Sequence, residues 1–431
     1  MNKAWTPQKC DAEDALSQII GTFTNCVQTL AEQANQARDE ADLQWLEERV
    51  RDDGQAILGR VFETLAQAAV DAQQEAARTC PDCGHRRRHQ GVRRRRLRSS
   101  LGEVAIEGIY WRCPACGCCG HSGETLMPDS FSGLLQQLTA LLGASLASFQ
   151  KAEVVAKRVL NVNLDDETIR RHCLAEGWQA ARDADASPTP VAPGNTLLGS
   201  CDGTMVRTRQ TGWREVKGYR FEHTDGCFGG ASLEPADVFL PRLQRAADRV
   251  GQAEAGAKVF CSDMATWITH GVAEHLPDWE MIADFYHASE HLHDAGKRIY
   301  GEHHPRASTW GRYWSRRLKR HGATYVAERL YDLTLFYRDT KQQSEVLALA
   351  RFLDKHAPRM NYPNYQARGL PIGSGPMESF CKQLTASLKG PGMFWSTANV
   401  TPMAHLVSRW SLEPQRFLNP PHEPAKLKLA A

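Results

Sequence analysis

Two sets of residues in this chain have the type and spacing to hold metal ions. Cys80-x-x-Cys83 and Cys113-x-x-Cys116 are paired thiols on two short turns, each followed by a glycine, Gly84 and Gly117. Two such turns, with glycine supplying the unusual backbone angles, complete a tetrahedral four-thiolate shell of the kind that holds structural zinc. Cys118 and Cys119 offer a second register, and His85, His89 and His121 could replace a thiolate. The second set is acidic. Asp263 ends the apolar run AKVFCS and Asp284 ends EMIA, so each is carried to the tip of a short strand. Carboxylate oxygens there suit magnesium or manganese and disfavour the zinc that thiolates take.

The chain that must position these groups has 431 residues, 42% of them hydrophobic, enough for roughly three domains at about 150 residues each. No stretch approaches the ~18 continuous apolar residues of a membrane span, and the N-terminal segment has no signal-type apolar core. The chain is therefore expected to stay soluble and intracellular, without a membrane partner. Thirteen cysteines argue for metal ligation over a disulfide framework. The net charge of only +2 confines any attraction to nucleic acid to local patches.

Residues 1–78 read as a helical arm, because Leu16, Ile19, Ile20 and Phe23, then Leu43, Leu46 and Val50, recur at helical spacing. Residues 79–126 form the zinc ribbon, whose alternating Val104, Ile106 and Tyr110 indicate strands. It carries eight arginines in RRRH and RRRRLR; Arg86, Arg87, Arg88, Arg93, Arg94, Arg95 and Arg96 are candidate phosphate contacts. In 127–185 two helices flank Asn161 to Leu164, with Asp165 or Asp166 capping the second, Glu167 to Ala175. Its first turn is expected to expose Thr168, Arg170 and Arg171, as a helix-turn-helix would; a plain helical hairpin fits equally. Residues 186–195, ASPTPVAPGN, have linker composition and mark the main boundary.

Beyond the linker, strands are expected at NTLLGSCDGTMV, REVKGYRFEH and near Ala231 to Leu240. A helix from Pro241 to Ala255, the strand AKVFCSD, a helix from Ala265 to His275 and the strand WEMIADF follow. Three strands, then helix, strand, helix, strand, is the order of an α/β ribonuclease-H-like core, whose first strand lies centrally and pairs with the fourth. Residues 196–288 would be its first part, 289–360 a helical insertion, 361–412 its second part, and 413–431 a tail.

The segments CDGTMV, GWREVKGYRFE, SDMATWI, DFYHASEHL and GLPIGSGPMESFCKQLTASLKGPGMFWS together resemble the transposases of Kra-type bacterial insertion sequences, relatives of the Mutator-like DDE group. The resemblance runs from the ribbon to about Trp410. It implies a carboxylate triad at Asp202, Asp263 and Glu378, and it matches Asp284 and His287 to an acidic-x-x-His signature. It also implies a DNA transposase that uses Mg²⁺ or Mn²⁺ to cut double-stranded element ends and join them to target DNA, acting as an oligomer. One departure is Ala386 to Lys389, where the resemblance implies an additional arginine for DNA contact.

Strand geometry separates Asp263 from Asp284. Neighbouring strands lie about 4.8 Å apart, so Asp202 on the first strand and Asp263 on the adjacent fourth can share ions held about 3.5–4 Å apart. Asp284, on the fifth, starts one spacing further away and is expected to support the site from behind, with His287. Each acid also has an ordinary structural alternative. Asp202-Gly203 can be a turn, Asp263 a helix cap, and Glu378, after Gly375-Pro376, a partner for a helix dipole. His287 and His291 stand one turn apart without an evident third ligand. WGRYWSRRLKR interleaves aromatics with cations, and Arg316, Arg317 and Lys319 there are candidate DNA contacts, set against core-facing tryptophans with a solvated basic face. Two other functions stay open: a non-catalytic DNA binder with the same ribbon, and a structure-specific nuclease on the same core.

Overall fold

A computed structural model describes residues 12–36, 43–146, 148–183 and 188–418. The first residues of the arm, the start of the linker (186–187) and most of the tail (419–431) lie outside the described residues. Among the described residues no helix is long and apolar enough to cross a membrane. The chain divides into two compact units, Met1–Cys173 and Leu174–Ala431.

The first unit contains α1 (Ala12–Gln36), α2 (Leu43–Ala72), β1 (Arg88–Ser99), β2 (Gly102–Arg112), β3 (Cys119–His121), α3 (Gly133–Ser145), α4 (Phe149–Leu160) and the beginning of α5 (Asp166–Asp183). The strands make an antiparallel sheet in the order β1-β2-β3. Because β3 pairs only with Tyr110 to Arg112, the preceding stretch of β2 has an open edge. Side chains of α2 cover it: Gln67 both donates to the Glu107 carbonyl (2.9 Å) and accepts from the Glu107 N–H (2.8 Å), and Glu63 accepts from the Ala105 N–H (3.1 Å). An amide side chain thus does the work of a neighbouring strand and blocks the edge from pairing with another chain. Val70, Leu97, Val104, Ile106 and Met127 close the core beneath.

The pair α4 and α5 turns at Asn161, whose φ of 53° is the left-handed conformation that asparagine tolerates. Asp165 caps α5 by accepting the Thr168 N–H at 2.6 Å. The exposure expected of this turn is only partly found. Thr168 is buried because it shares a face with Ile169, His172 and Cys173, all buried. α5 also runs eight residues past Ala175. The division between units falls inside it, not in the expected linker, because Gly177 lets the helix press on the backbone of Pro402; a Cβ there would lie 2.0 Å from the Pro402 oxygen.

The second unit is built on β4 (Thr196–Thr208), β5 (Gly212–His223), β6 (Gly226–Ser232), β7 (Ala257–Ser262) and β8 (Glu280–Ala283), in the order β6-β5-β4-β7-β8. β4 is central, antiparallel to β5 and parallel to β7, which in turn is parallel to β8. The third strand lies earlier than expected, ending at Ser232. Pro235 then stands as the N-cap of α6 (Ala236–Arg249), and Phe239, Leu240 and Leu243 bury one helical face. Residues after Gly251, at a φ of 84°, leave the helix, which is why it stops short of Ala255.

One sheet face packs on α6 and α7 (Thr266–His275) through Leu197, Cys201, Phe221 and Phe260. The opposite face, reached by Leu198, Val259, Cys261 and Ile282, packs on α8 (Phe285–Tyr300) and the helices α9 (Pro305–Thr334), α10 (Thr340–His356) and α11 (Tyr362–Ala367). α9 is two helices joined at Gly322, whose φ of 79° only glycine adopts readily. α12 (Gly375–Leu388) and α13 (Thr397–Leu412) complete the unit.

Candidate metal centres and anion-binding surfaces

The four cysteines of the two turns converge. Sγ of Cys80 lies 3.6 Å from that of Cys116, and Sγ of Cys83 lies 3.5 Å from those of Cys113 and Cys116. A tetrahedron with Zn–S bonds of about 2.3 Å has edges of about 3.8 Å, so the set fits zinc closely. The two turns repeat one backbone pattern. Gly84 N–H donates to the Cys80 carbonyl and Cys80 N–H to that of His85; Gly117 N–H donates to Cys113 and Cys113 N–H to Cys118. Gly84 and Gly117 have φ of 72° and 75°. Desolvation works against the Cys80 thiolate, but backbone N–H groups of Cys83 and Asp82 outweigh it and bring the thiol down to about 6. Cys113 also falls while Cys83 and Cys116 rise. Two thiols down and two up is what four adjacent thiols must do until a cation neutralises them. Cys80, Asp82 and Cys118 form a second, overlapping group, which includes Cys118 of the alternative register but not Cys119.

The acidic site starts from strand register. The pairing of β4 with β7 matches Leu198 to Val259 and Gly199 to Phe260; continued three residues, it sets Asp202 level with Asp263. Both share parity with Leu198 and Val259, so both lie on the sheet face that the α8 side covers. The pairing of β7 with β8 matches Ser262 to Ala283 and sets Asp284 level with Asp263. Asp202 thus lies within β4, and Asp263 and Asp284 directly follow the last residues of β7 and β8.

Their hydrogen bonds divide them. Asp284 is 4% exposed and fully engaged. It caps α8 by accepting from the N–H groups of Tyr286 (2.6 Å) and His287 (3.3 Å), and it accepts from the Ser374 N–H (2.7 Å) and the Ser374 hydroxyl. Ser374 is the N-cap residue of α12, the helix that carries Glu378. Asp284 thus fastens that helix to the sheet. Asp263 accepts one N–H, that of Ala265 at 3.2 Å, and Asp202 accepts that of Gly203 at 2.7 Å. Neither is a helix cap: the cap of α7 is Ala265, without a side-chain bond. Desolvation raises the Asp202 carboxyl, and repulsion from Asp263 raises it further, against the Gly203 N–H, the Cys381 thiol and the His287 ring. A half-buried acid near a second acid is a place where a bound cation would relieve repulsion.

α12 crosses this face. Thr385 Oγ1 lies 2.7 Å from Thr204 Oγ1, and the Cys381 thiol bonds Asp202. Gly218, opposite Asp202 on β5, leaves room for Met377 and Phe380; a Cβ would sit 3.1 and 3.2 Å from them. Glu378 shares the helical face of Cys381, one turn earlier. Its side chain is 60% exposed and paired with Lys382 at 2.7 Å. Among the described residues Asp202, Asp263 and Glu378 do not meet within 4.8 Å of one another, the span of one ion. A pair of ions spans about 8 Å of oxygen separation, from two ~2.1 Å bonds and a ~3.8 Å gap. An exposed i,i+4 pair such as Glu378–Lys382 is worth only about 0.3–0.5 kcal/mol, so a cation can exchange with it.

His287 approaches Glu290 at 3.4 Å, and His291 stacks on Phe352 at 4.4 Å, so the two histidines serve different neighbours. Cys381, Thr204, Thr385 and Ser374 were not singled out in the sequence; the only signal was that Cys381 and Thr385 follow Glu378 at helical spacing.

The candidate DNA contacts also separate. Arg86, Arg88, Arg93, Arg94 and Arg96 are exposed and Arg95 is half-buried. Arg93 lies over Tyr110 at 3.7 Å, and Arg96 pairs with Glu103 at 3.3 Å. Arg87 does not fit a phosphate contact: it is buried and donates to Cys118 Sγ at 3.4 Å, beside the thiolates. Arg170 is held by Glu167 and Arg171 by the Thr168 hydroxyl within the helix, so both would have to release partners to reach DNA. On α9, Arg316 and Lys319 are exposed, whereas Arg317 is half-buried and donates to the Tyr325 hydroxyl. Trp314 is buried in the core, and Trp310 is only half-buried.

No protein-family model matches the chain, and no curated protein matches it. Among solved structures it is similar to the Drosophila P element transposase strand transfer complex, over 67% of this chain and 81% of that one, at 10% identity and a TM-score of 0.27, a likeness too slight to argue from.

Proposed function

We propose that the chain is a metal-dependent DNA strand transferase of the insertion-sequence transposase class, bacterial and cytoplasmic, with Asp202, Asp263 and Glu378 as ligands of magnesium or manganese. The observation that most supports this reading is the parallel pairing of β4 with β7, a register that, continued past its last paired residues, brings Asp202 level with Asp263, while the Glu378 helix meets β4 at Thr204. The strand order β6-β5-β4-β7-β8, with a central first strand beside the fourth, supports a ribonuclease-H-like core. The resemblance to Kra-type transposases supports the same class.

A divalent pair at these carboxylates would supply activation of water, or of a 3′-hydroxyl, and neutralisation of charge on the scissile phosphate. The protein's own part is positional. β4 and β7 hold two carboxylates side by side, Asp284 holds the Glu378 helix against the sheet, and the buried surroundings of Asp202 favour a cation over water. The cysteine cluster would hold zinc as a structural staple for the ribbon, whose exposed arginines grip phosphates without reading sequence. Two element ends joined in one reaction call for at least a dimer.

The test is incubation of purified protein and Mg²⁺ with DNA carrying the sequences that flank its coding region, scored for cut and for joined product. Cutting and joining that Asp202→Asn and Glu378→Gln abolish support the proposal. Cutting without joining supports a nuclease, and binding without cutting supports a DNA-binding protein.

A further inference from the structure

The insertion helix α9 borders two adjoining cavities of opposite character. One, of about 1020 Å³, is lined by Arg312, Arg316, Arg317, Lys319, Arg320 and His321, with no carboxylate in its lining. Among the described residues Arg312, Arg316, Lys319 and Arg320 have no acidic partner, so their charge is uncompensated. The other, of about 650 Å³, is walled by Tyr300, Trp310, Tyr313, Tyr325, Phe336 and Tyr337. Its acid, Asp332, is held by Arg329 at 3.2 Å. Thr309, Tyr313 and Arg317 line both cavities, so they share a wall.

The aromatic cup is preformed. The hydroxyls of Tyr300 and Tyr337 bond each other at 2.8 Å, Trp310 packs against buried Trp314 with ring centres 6.0 Å apart, and Arg317 lies over Tyr313 at 4.9 Å. Tyr313 stays 48% exposed and Phe336 79%, at the positions where a planar ligand would enter. Lys319, at the other end of the cationic groove, lies 5.6 Å from the Phe285 ring, next to Asp284.

The geometry points to a binding site for an unpaired DNA strand, with backbone phosphates in the groove of Arg312, Arg316, Lys319 and Arg320 and one unstacked base in the cup beside Trp310 and Tyr313. A row of cations beside aromatic faces is the arrangement that holds single strands, because every base has a stacking face and every linkage a charge. Paired bases of an intact duplex cannot enter the cup without leaving their stack. This inference rests on the proposed function for its choice of DNA, but not on the carboxylates.

The test uses the full chain carrying Asp202→Asn, so that no cleavage intervenes, with a fluorescein-labelled twelve-residue oligothymidine and a blunt twelve-pair duplex as probes. Tyr313→Ala is expected to weaken the single strand about tenfold and the duplex less than twofold, with Tyr313→Phe restoring the loss. Trp310→Ala should do the same; both rings pack on Trp314, so duplex binding retained by each variant is the control for folding. Arg316→Gln with Arg320→Gln should weaken both probes and reduce the salt dependence by about one to two counterions. Equal losses on both probes, or none, overturn the inference, and tighter binding of oligouridine than of oligothymidine overturns its assignment to DNA. Cleavage by the parent chain with an inert Tyr313 would sink this site alone, whereas Tyr313-dependent binding without any cleavage would sink the catalytic proposal alone.

Discussion

Replacing Asp284 separates its role from those of Asp202 and Asp263. Asp284→Ala removes the acceptor for four donors, two at the start of α8 and two at Ser374. Losing the cap costs about 1–2 kcal/mol, and leaving the Ser374 N–H without a partner costs about 1–3 kcal/mol more. The total, about 2–5 kcal/mol, falls on two segments that are distant in sequence. Asp284→Asn keeps one oxygen for the cap but turns an amide toward the Ser374 N–H, so about 1–2 kcal/mol is expected. Asp278→Ala, whose side chain is 81% exposed and 3.6 Å from Lys258, is the control, at under about 0.5 kcal/mol.

Hydrogen exchange followed by mass spectrometry reads this locally. At about 1.4 kcal/mol per tenfold in local opening, Asp284→Ala should speed exchange of peptides covering 284–290 and 372–380 by roughly thirtyfold to a few thousandfold, together. Thermal stabilisation by Mg²⁺ should persist in Asp284→Asn and vanish in Asp202→Asn and Asp263→Asn. Unchanged protection at 372–380 would refute the tether. Mg²⁺ stabilisation lost in Asp284→Asn but kept in Asp202→Asn would invert the ligand assignment.

The raised Asp202 carboxyl stabilises the metal-free fold fully only below its unfolded value, and that contribution is lost as pH rises through the higher folded value. Asp202→Asn should therefore raise the melting temperature of metal-free protein at pH 7 and flatten its decline between pH 4 and 7; a lower melting temperature would contradict the buried, repelled carboxylate. With 10 mM Mg²⁺ and a Kd near 1 mM, the parent should gain about 1.4 kcal/mol, or roughly 2–4 °C in melting temperature. Cys113→Ser should release zinc to a chelator dye and unfold the 79–126 region without changing circular dichroism of the 196–412 region; one zinc per chain retained by the variant would show that another thiol completes the shell. Gly218→Val should push α12 off β5 through Met377 and Phe380 and cost at least tenfold in activity, with a loss of about 1–3 kcal/mol in stability; a variant as active as the parent would mean that the Glu378 helix needs no fixed seat.

The parts of this molecule legible in its sequence are those fixed by local chemistry. Two Cys-x-x-Cys turns with trailing glycines specify their own geometry, and all four thiols close together in the fold. The strand runs ending at Asp263 and Asp284 could be read because a parallel strand buried on both faces is an unbroken apolar run. The start of α6 could not, since ASLEPADVFLP carries Pro241 inside a helix, where its proline argues for a boundary. The tie from Asp284 to Ser374 spans ninety residues and leaves no local signal. Burial of Arg87 was hidden for a similar reason: a run of like charges looks solvated until a distant thiol appears beside one of them. In WGRYWSRRLKR the core-facing reading holds for Trp314, which is buried, while Trp310, one turn earlier, is only half-buried.

The central claim, two aspartates and a glutamate acting through divalent ions on DNA, is tested most directly by strand cleavage of flanking-sequence DNA as a function of Mg²⁺. The account predicts cutting and joining by the parent, restoration by Mn²⁺, and a fall of at least a thousandfold in Asp202→Asn, Asp263→Asn and Glu378→Gln with DNA affinity unchanged. Cutting by any of the three at the parental rate would contradict it.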